Sequence, residues 1–381
     1  MKIHLWLPEL VRTKGGIQVF SGFFLRALVG ARASGLRLFC KNDRRGTLGG
    51  VVPEGIPVTC AGDWPGVSRT AAFVGQIVPA AVKERPGLIL CGHMNFAAAA
   101  YWVHRWAGVP YWIIAHGIEA WDLRRPGMRA AVRGAGRILA VSRFTRDRLI
   151  VQLDLPEDRV VLLPNTFDAG GLAVGPKPEY LLKRYGLSAG QPVILTVARL
   201  SSPERYKGYD KIIEAMPAIL DRVPDAHYVL VGKGDDRARV EQRAREMGIE
   251  DHVSLAGFVP EGELKDHYNL CDVFAMPSKG EGFGIVFLEA LACGKPVVAG
   301  NQDGSRDALC DGELGALIDP DDVGQIAGTI SGILLRRYEH PLMYRPEALR
   351  EAVVGRYGYA RFEALVREHL AALVGRGWNH E

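Results

Sequence analysis

The sequence alternates short, fully apolar segments with longer segments of helical periodicity, and it does so in two successive sets. Strands that are apolar on both faces are typical of parallel sheets covered by helices on both sides. The apolar residues between them recur at the spacing of amphipathic helices. A Gly- and Pro-rich segment, residues 169–178, separates the two sets. The pattern predicts an α/β protein with two Rossmann-like domains.

The length of 381 residues also favours more than one domain. We place an N-terminal domain at residues 1–170, a C-terminal domain at 171–355 and a final helix at 356–381. Hydrophobic residues make up 48% of the chain and charged residues 24%, as in ordinary globular proteins. No apolar run approaches the roughly 18 residues of a transmembrane helix, and the N-terminus resembles a strand rather than a signal peptide. We expect a cytoplasmic protein whose six scattered cysteines are free thiols.

Basic residues are concentrated in the first domain. The first 170 residues contain 22 Lys and Arg against 12 Asp and Glu, whereas the remainder contains 25 against 31. A basic half predicts an anionic partner. Arg125, Arg129 and Arg133 are spaced by four and would share a helix face, and Phe23 and Phe24 either contact a membrane or belong to the core. Docking to an anionic membrane at its inner face and a merely solvated basic surface both remain open.

The segment from Pro277 to Val298 carries the clearest sign of a ligand site. Glu281 and Glu289 stand eight positions apart, and a helix beginning near Gly284 would offer free N–H groups and a positive dipole end to an anion. The Glu289 carboxylate, inside this helix, is costly unless something binds it. Sugar hydroxyls would suit both carboxylates, so the segment predicts a nucleotide-sugar site. A Gly-rich loop before an amphipathic helix with one paired Glu is the alternative.

Other candidates lie where predicted strands end, because ligands of parallel sheets bind at that edge. Arg199 ends the first strand of the second half and Lys207 precedes the next helix, so the two cations either clamp a diphosphate or are surface charges. His116 follows a buried strand and is either a site residue or a structural one. Gly15 and Gly16 follow the first strand, in a phosphate-binding loop or a plain tight turn.

These elements occur in an order that resembles a known family. The motifs that carry the resemblance are Gly15-Gly16, His116-Gly117, Asn165–Asp168, Arg199-Leu200, Lys207-Gly208, Val231-Gly232-Lys233-Gly234, Glu281-Gly282-Phe283-Gly284 and Glu289. Over about residues 1–335 the chain resembles the retaining glycosyltransferases of family 4, which have the GT-B fold. The resemblance implies two Rossmann-like domains facing across a cleft that holds the donor, with C-terminal helices crossing back to the first domain.

The resemblance also implies a role for each motif residue. Arg199 and Lys207 would bind the donor diphosphate and stabilise it as the leaving group, while Glu289 would hold the ribose hydroxyls. Glu281 and His116 would contact the transferred sugar, and these two and the two cations form the catalytic set. The other predicted donor-binding residues are Gly15, Gly16, Gly232, Gly257, Phe258, Phe283, Gly284, Ile285 and Val286.

The chain departs from the family pattern in two places. Asn165-Thr166 stands where the family often has Asn-Gly, and the segment Asn301–Asp307 replaces a Gly-Gly loop that leads to a Glu, which leaves donor contacts from that segment open. Asp319-Pro320-Asp321 has the letters of a metal motif of another glycosyltransferase fold, but we interpret it as a turn and N-cap. Because cations take the metal's place in this family, we expect no metal and no cofactor besides the donor.

The resulting prediction is the retaining transfer of a hexose from a UDP- or GDP-sugar, with the donor phosphate as the base. The acceptor would be a glycan or a lipid-linked glycan of cell-surface polysaccharide or glycolipid synthesis, and no nucleic-acid partner is expected. A GT-B sugar-nucleotide epimerase or phosphorylase and a non-catalytic sugar-nucleotide binding protein are the alternatives. A dinucleotide oxidoreductase fits less well, because the first turn lacks a complete Gly-x-Gly-x-x-Gly and Glu289 lies deep within its helix.

Overall fold

The chain forms two α/β units. The computed structural model describes residues 1–12, 15–31 and 35–375. Unit 1 comprises Met1–Thr166 and the chain from Tyr359, and unit 2 comprises Phe167–Gly358. These limits lie a few residues from the boundaries that the sequence placed at 170 and 355.

The strands are short and mostly buried. Those of unit 1 are β1 (Ile3–Leu7), β2 (Leu36–Cys40), β3 (Val58–Cys60), β4 (Leu88–Cys91), β5 (Tyr111–Ala115), β6 (Arg137–Ala140) and β7 (Val160–Leu162). Those of unit 2 are β8 (Val193–Val197), β9 (His227–Val231), β10 (Val253–Gly257), β11 (Val273–Met276), β12 (Val297–Gly300) and β13 (Ala316–Ile318).

The helices alternate with these strands. In chain order they are α1 (Gly16–Gly30), α2 (Gly66–Glu84), α3 (Ala97–Ala107), α4 (Ile118–Trp121), α5 (Pro126–Arg133), α6 (Arg143–Leu153), α7 (Glu179–Tyr185), α8 (Tyr209–Leu220), α9 (Arg237–Glu246), α10 (Glu261–Leu270), α11 (Ile285–Ala292), α12 (Ser305–Ala308), α13 (Val323–Leu334), α14 (Pro346–Tyr357) and α15 (Tyr359–Gly375). Within the described residues, no helix is both long enough and apolar enough to cross a bilayer.

Each unit contains one parallel sheet. Among the described residues, the sheet of unit 1 has seven strands in the order β3-β2-β1-β4-β5-β6-β7, and that of unit 2 has six in the order β10-β9-β8-β11-β12-β13. Every residue of β1, β4, β5, β9 and β11 is buried, which explains why these strands are apolar without alternation. In both sheets the strand order reverses beside the first strand, and the carboxyl ends at such a switch point are where ligands of these sheets bind.

The last helix, α15, belongs to unit 1 and packs against α1. The Phe20 and Phe362 rings meet edge to face with centroids 5.5 Å apart, and the Arg26 guanidinium lies 4.1 Å from the centre of the Tyr359 ring. Phe24 is buried and the Phe23 ring lies 5.8 Å from that of Tyr359. Phe24 therefore belongs to the core of unit 1, whereas Phe23 is half-buried beside α15.

The arginines of α5 also have structural partners. Arg129 donates hydrogen bonds to the carbonyl oxygens of Leu123 and Gln152, and Arg133 donates to that of Leu153. These two guanidinium groups tie α5 to the preceding loop and to the end of α6, whereas Arg125, at the N-cap of α5, is exposed.

Smaller features also bear on the sequence-based expectations. The six cysteines are free thiols, as expected. The N-cap of α13 is Asp322, whose side chain accepts from the Gln325 N–H at 2.8 Å, while Asp319 accepts from the Asp321 N–H at 2.9 Å within the preceding turn. The Asp-Pro-Asp segment is therefore a turn, with the helix cap one residue beyond it.

Candidate functional site

The carboxyl edge of the unit 2 sheet brings most of the predicted site residues together. Arg199 lies just beyond β8, Gly232 follows β9, Gly257 ends β10 and Glu281 lies in the loop after β11. Since these strands are parallel neighbours, their carboxyl ends share one edge. The sequence placed Arg199 at a strand end, and the sheet order makes it a neighbour of the other three.

Gly232 allows three strand ends to approach one another. Its φ of 143° is a conformation that other residues rarely adopt, and a Cβ there would lie 1.7 Å from the carbonyl oxygen of Ala198. Its N–H donates to the carbonyl of Gly257 at 2.8 Å. Only glycine fits at this position, which couples the ends of β8, β9 and β10.

Phe258 stands beside this junction with its ring exposed. Its exposed fraction is 58%, and the Lys233 ammonium lies 5.2 Å from the ring centre. An exposed aromatic face next to a cation suits a planar base, because aromatic rings stack on bases and attract cations. The position is compatible with the predicted donor-binding role of Phe258, which stays a prediction.

Lys207 and Glu281 form a largely buried ion pair. The Lys207 Nζ lies 2.8 Å from the Glu281 Oε2, and the two side chains are 14% and 19% exposed. Burial alone would lower the pKa of Lys207, but the Glu281 carboxylate, followed by Tyr206, raises the net pKa above its usual value. Lys207 therefore remains a cation through the physiological pH range.

A glycine fixes the position of this lysine. Gly208 has φ of 75°, and a Cβ there would lie 2.2 Å from the carbonyl oxygen of Pro277, at the start of the loop that holds Glu281. The chain can therefore turn into α8 against this loop only with glycine at 208. This steric limit explains why a glycine follows the lysine in the Lys207-Gly208 motif.

Arg199 pairs with a carboxylate that the sequence did not single out. Its Nη2 lies 2.6 Å from the Glu204 Oε1, and the Arg199 side chain is 68% exposed. Burial raises the pKa of the Tyr206 hydroxyl to about 12, and the charges of Lys207, Glu281, Glu204 and Arg199 all act on it. The two predicted diphosphate-binding cations thus belong to one charged cluster around Tyr206. Sequence reasoning missed Glu204 and Tyr206, although both lie within three residues of the Lys-Gly motif.

The helix α11 begins at the glycine that the sequence indicated. Gly284 is its N-cap with φ of 91°, and a Cβ there would lie 2.4 Å from the Phe287 ring. The N–H groups of Ile285 and Val286 are in the first turn, where a helix supplies no internal acceptor. Phe283 is buried with its ring 5.3 Å from that of Tyr357, so its contribution to a ligand would come from the backbone.

Glu289 has a partner that the sequence did not reveal. The Tyr268 hydroxyl of α10 donates to the Glu289 Oε2 at 2.6 Å, so a protein side chain already binds this carboxylate, as in the alternative of one paired Glu. Burial raises the pKa of Glu289, and the Tyr268 hydrogen bond partly offsets this rise. Among the described residues no hydrogen bond engages the other carboxylate oxygen, which is the atom that a ribose hydroxyl would need.

In unit 1, His116 lies directly after β5 as expected. Its Nε2 donates to the carbonyl oxygen of Gly92 at 2.9 Å, and its backbone N–H donates to the Glu119 Oε1 at 2.6 Å. Burial lowers the pKa of His116, which favours the neutral ring with Nδ1 as an acceptor.

His93 is a second histidine at the same edge and was not predicted. It follows β4, its ring centroid is 6.0 Å from that of His116, and burial lowers its pKa to about 4. Its Nδ1 accepts from the Asn95 N–H at 3.1 Å. The criterion that selected His116, a histidine just after a buried strand, would have selected His93 as well.

The Gly15-Gly16 turn opens α1. Gly15 is the N-cap with φ of −177°, an extended conformation open to any residue, and Gly16 is the first helical residue. The preceding segment is anchored by Asp43, whose carboxylate accepts from the N–H groups of Leu10, Val11 and Arg12. The adjacent Lys14 lies outside the described residues.

No group of three or more His, Cys, Asp or Glu side chains suited to a metal ion occurs within residues 1–12, 15–31 and 35–375. The charged cluster around Tyr206 includes the cations Lys207 and Arg199, which would repel a metal ion. Metal independence stays a prediction about the reaction.

Two family models match successive parts of the chain. The model of glycosyl transferases group 1 matches residues 180–350, and the model of glycosyltransferase family 4 matches residues 16–170. The chain belongs to the group 1 glycosyltransferases.

Characterised relatives are similar over part of their length. A GDP-mannose-dependent alpha-(1-6)-phosphatidylinositol monomannoside mannosyltransferase of Mycolicibacterium smegmatis is 35% identical over 58% of this chain and 59% of its own. A D-inositol 3-phosphate glycosyltransferase of Acidothermus cellulolyticus is 30% identical over 69% of this chain and 63% of its own. The chain thus spans about three fifths of the length of the curated relatives it matches.

Solved structures similar to the whole chain include HepE of Anabaena in complex with UDP, with a TM-score of 0.79, 22% identity and coverage of 98% of this chain and 100% of that chain. A glycosyltransferase of Rickettsia africae has a TM-score of 0.80, 17% identity and coverage of 99% of each chain. At these identities the likeness concerns the fold, and it confirms the predicted GT-B fold.

Proposed function

We propose that this glycosyltransferase moves a hexose from a UDP- or GDP-sugar to a glycan or lipid-linked acceptor, with retention at the anomeric carbon and without a metal ion. The names of the relatives, a GDP-mannose-dependent mannosyltransferase and a D-inositol 3-phosphate glycosyltransferase, support a nucleotide-sugar donor and a polyol-rich acceptor. The site in unit 2 supports the donor half of the proposal.

The observation that carries the proposal is the buried Lys207–Glu281 pair beside the N-terminus of α11. A cation that keeps its charge, together with free backbone N–H groups, is suited to a diphosphate. Glu281 on the same lysine offers a hydrogen-bond acceptor to the hydroxyls of the transferred sugar. Glu289 in the middle of this helix offers one to the ribose.

In the proposed reaction the glycosidic bond to the diphosphate breaks, and negative charge develops on the leaving phosphate. Lys207 and Arg199 stabilise this charge, and preorganised groups of this kind lower barriers most in sites shielded from water. The leaving phosphate accepts the proton of the acceptor hydroxyl, which then attacks from the same face. His116 of unit 1, with a neutral ring, is the proposed contact of the transferred sugar.

A panel of nucleotide sugars tests the donor. We expect a UDP- or GDP-sugar to raise the melting temperature, because a ligand that binds only the folded state stabilises it by mass action. Release of free UDP or GDP only when an acceptor is added would support transfer. Interconversion of the donor without release would indicate an epimerase, and binding without turnover a sugar-nucleotide binding protein.

The proposal includes an acceptor at an anionic membrane, met by unit 1. With Arg129 and Arg133 engaged internally, the best support is an exposed apolar tip at the start of α2, where Trp64 is 51% and Val67 98% exposed. Arg44, whose side chain is 69% exposed, pairs with Asp63 beside this tip, and Arg69 donates to the Trp64 carbonyl. Tryptophan with flanking arginine is suited to the interface of an anionic bilayer.

A further inference from the structure

The segment that departs from the family pattern lies beside the loop of Glu281. Residues 301–304 lead from β12 to α12, and Asp303 within them has no exposed surface. A buried carboxylate is costly unless hydrogen-bond donors surround it. The donors of Asp303 therefore indicate what the segment does.

Asp303 finds its donors in the main chain. Its Oδ2 accepts from the backbone N–H of Glu281 at 2.6 Å, and its Oδ1 accepts from that of Ser305 at 2.9 Å. Hydrogen bonds from N–H groups to a carboxylate are short and strong compared with neutral ones. The next residue acts on the same unit of main chain, because the Gly304 N–H donates to the Glu281 carbonyl oxygen at 2.9 Å.

The close approach depends on glycine at 304. A Cβ there would lie 2.0 Å from the carbonyl oxygen of Gly282, which leaves no room for a side chain. Asp303 and Gly304 therefore act together: one contributes the carboxylate, and the other lets the two segments meet.

The segment before α8 holds the same loop from another side. The Lys279 N–H donates to the carbonyl oxygen of Tyr206 at 2.9 Å, and a Cβ at Gly280 would lie 2.6 Å from the Tyr206 ring. With its neighbours fixed here and its own N–H and C=O bound by residues 303 and 304, Glu281 has little freedom. Its side chain meets Lys207 as a consequence of this main-chain geometry.

We propose that Asp303 is a positioning residue of the donor site, whose carboxylate fixes the main chain of Glu281 and thereby directs the Glu281 side chain. Asp303 acts through Glu281. The consequence for the transferred sugar rests on the proposed function, whereas the hold on the main chain does not depend on it.

The charge of Asp303 gives this role a pH signature. Burial raises the pKa of Asp303 to about 6, and the Glu281 carboxylate adds to the rise. Of the other charged groups nearby, Lys207 is paired with Glu281 and Arg306 with Asp311. Above the pKa both oxygens of Asp303 accept N–H groups, whereas below it one oxygen carries a proton. The hold on Glu281 is therefore complete at pH 8 and weakened at pH 5.

The test compares D303N with D311N. Asparagine keeps the size of Asp303 but replaces one accepting oxygen with an NH₂ group, so we expect kcat/KM to fall by about tenfold or more at pH 8. Affinity for the free nucleotide should stay unchanged, and the ratio of wild-type to D303N activity should approach one at pH 5. D311N removes an exposed carboxylate at φ of 53°, where asparagine is tolerated, and should match the wild type.

Hydrogen exchange of peptides covering residues 279–284 supplies a readout independent of activity. We expect faster exchange in D303N than in D311N and, after correction for intrinsic rates, less protection of the wild type at pH 5 than at pH 8. The proposal would be overturned if D303N had the kcat/KM of the wild type at pH 8. Equal protection of residues 279–284 in the wild type, D303N and D311N would also overturn it. If the wild type turns over no nucleotide sugar, the proposed function fails. Hydrogen exchange alone then tests whether Asp303 holds the main chain of Glu281. If D303N does not fold, the pH dependence of wild-type exchange decides.

Discussion

At the scale of single residues, both cations assigned to the diphosphate already have carboxylate partners. Lys207 pairs with Glu281 where both are largely buried, and Arg199 pairs with Glu204 while remaining mostly exposed. The exposed Arg199 guanidinium is accessible to a phosphate, but Glu204 is only 14% exposed and would lose its cation if Arg199 moved away. Lys207 is better held, which suits a cation that keeps one position while charge develops beside it.

Removal of either cation should therefore slow the chemical step. We expect Arg199→Ala and Lys207→Ala each to lower kcat by about 100-fold or more, the range for groups that stabilise transition-state charge. Lys211→Ala is the matched control, because Lys211 pairs with Glu214 on α8 at 3.0 Å. Steady-state kinetics of nucleotide release provide the measurement. Loss of activity in EDTA that magnesium restores would contradict a site in which cations replace a metal.

The Glu289–Tyr268 hydrogen bond predicts two graded effects on donor affinity. Glu289→Ala should cost about 2–3 kcal/mol of nucleotide binding, the upper range for hydrogen bonds to charged groups. Tyr268→Phe should cost about 1 kcal/mol, because it removes only the hydroxyl that orients the carboxylate. Calorimetric titration with the free nucleotide measures both. Tyr180→Phe is the control, because the Tyr180 hydroxyl donates to Asp266, which lies at an exposed position on α10, the helix of Tyr268. Unchanged nucleotide affinity in a folded Glu289→Ala variant would rule out the ribose role.

At the scale of elements, the sequence predicted strands and strand ends well because burial on both faces leaves a local signal. Arg199 and His116 were placed correctly after their strands for that reason. The partners of the site carboxylates left no such signal. Tyr268 meets Glu289 from a different helix, and Asp303 meets Glu281 from a loop 22 positions away, so only the packed structure brings them together.

The start of α11 offers a test of how sequence specifies an element boundary. Gly284→Ala should destabilise the protein by about 2–4 kcal/mol, because it combines a left-handed backbone with a steric conflict at the Phe287 ring. Gly248→Ala is the matched control, since Gly248 has φ of 65° with no atom near its Cβ position. It should cost only about 1 kcal/mol. Urea denaturation measures both, and equal losses would show that the Phe287 contact relaxes without cost.

At the scale of the whole molecule, the uneven charge and the exposed tip of unit 1 lead to a prediction about membranes. Each basic side chain near an anionic surface contributes about 1 kcal/mol, so a few arginines with Trp64 would give reversible binding that salt weakens. Sedimentation with anionic liposomes at low and high salt measures it. Trp64→Ser with Val67→Ser should reduce binding, whereas Trp106→Ser, at an exposed tryptophan that ends α3, should not. Equal binding to neutral liposomes would exclude electrostatic docking.

The placement of α15 in unit 1 has a consequence for biosynthesis. Unit 1 is discontinuous, with unit 2 inserted before its last helix. A ribosome therefore finishes all strands of both sheets before it adds Phe362, which packs on Phe20 near the start of the chain. Unit 2 can complete its core during translation, while the α1 surface of unit 1 stays uncovered until synthesis is nearly over. That surface is where a chaperone would bind the nascent protein, and where a premature stop codon would leave apolar side chains exposed.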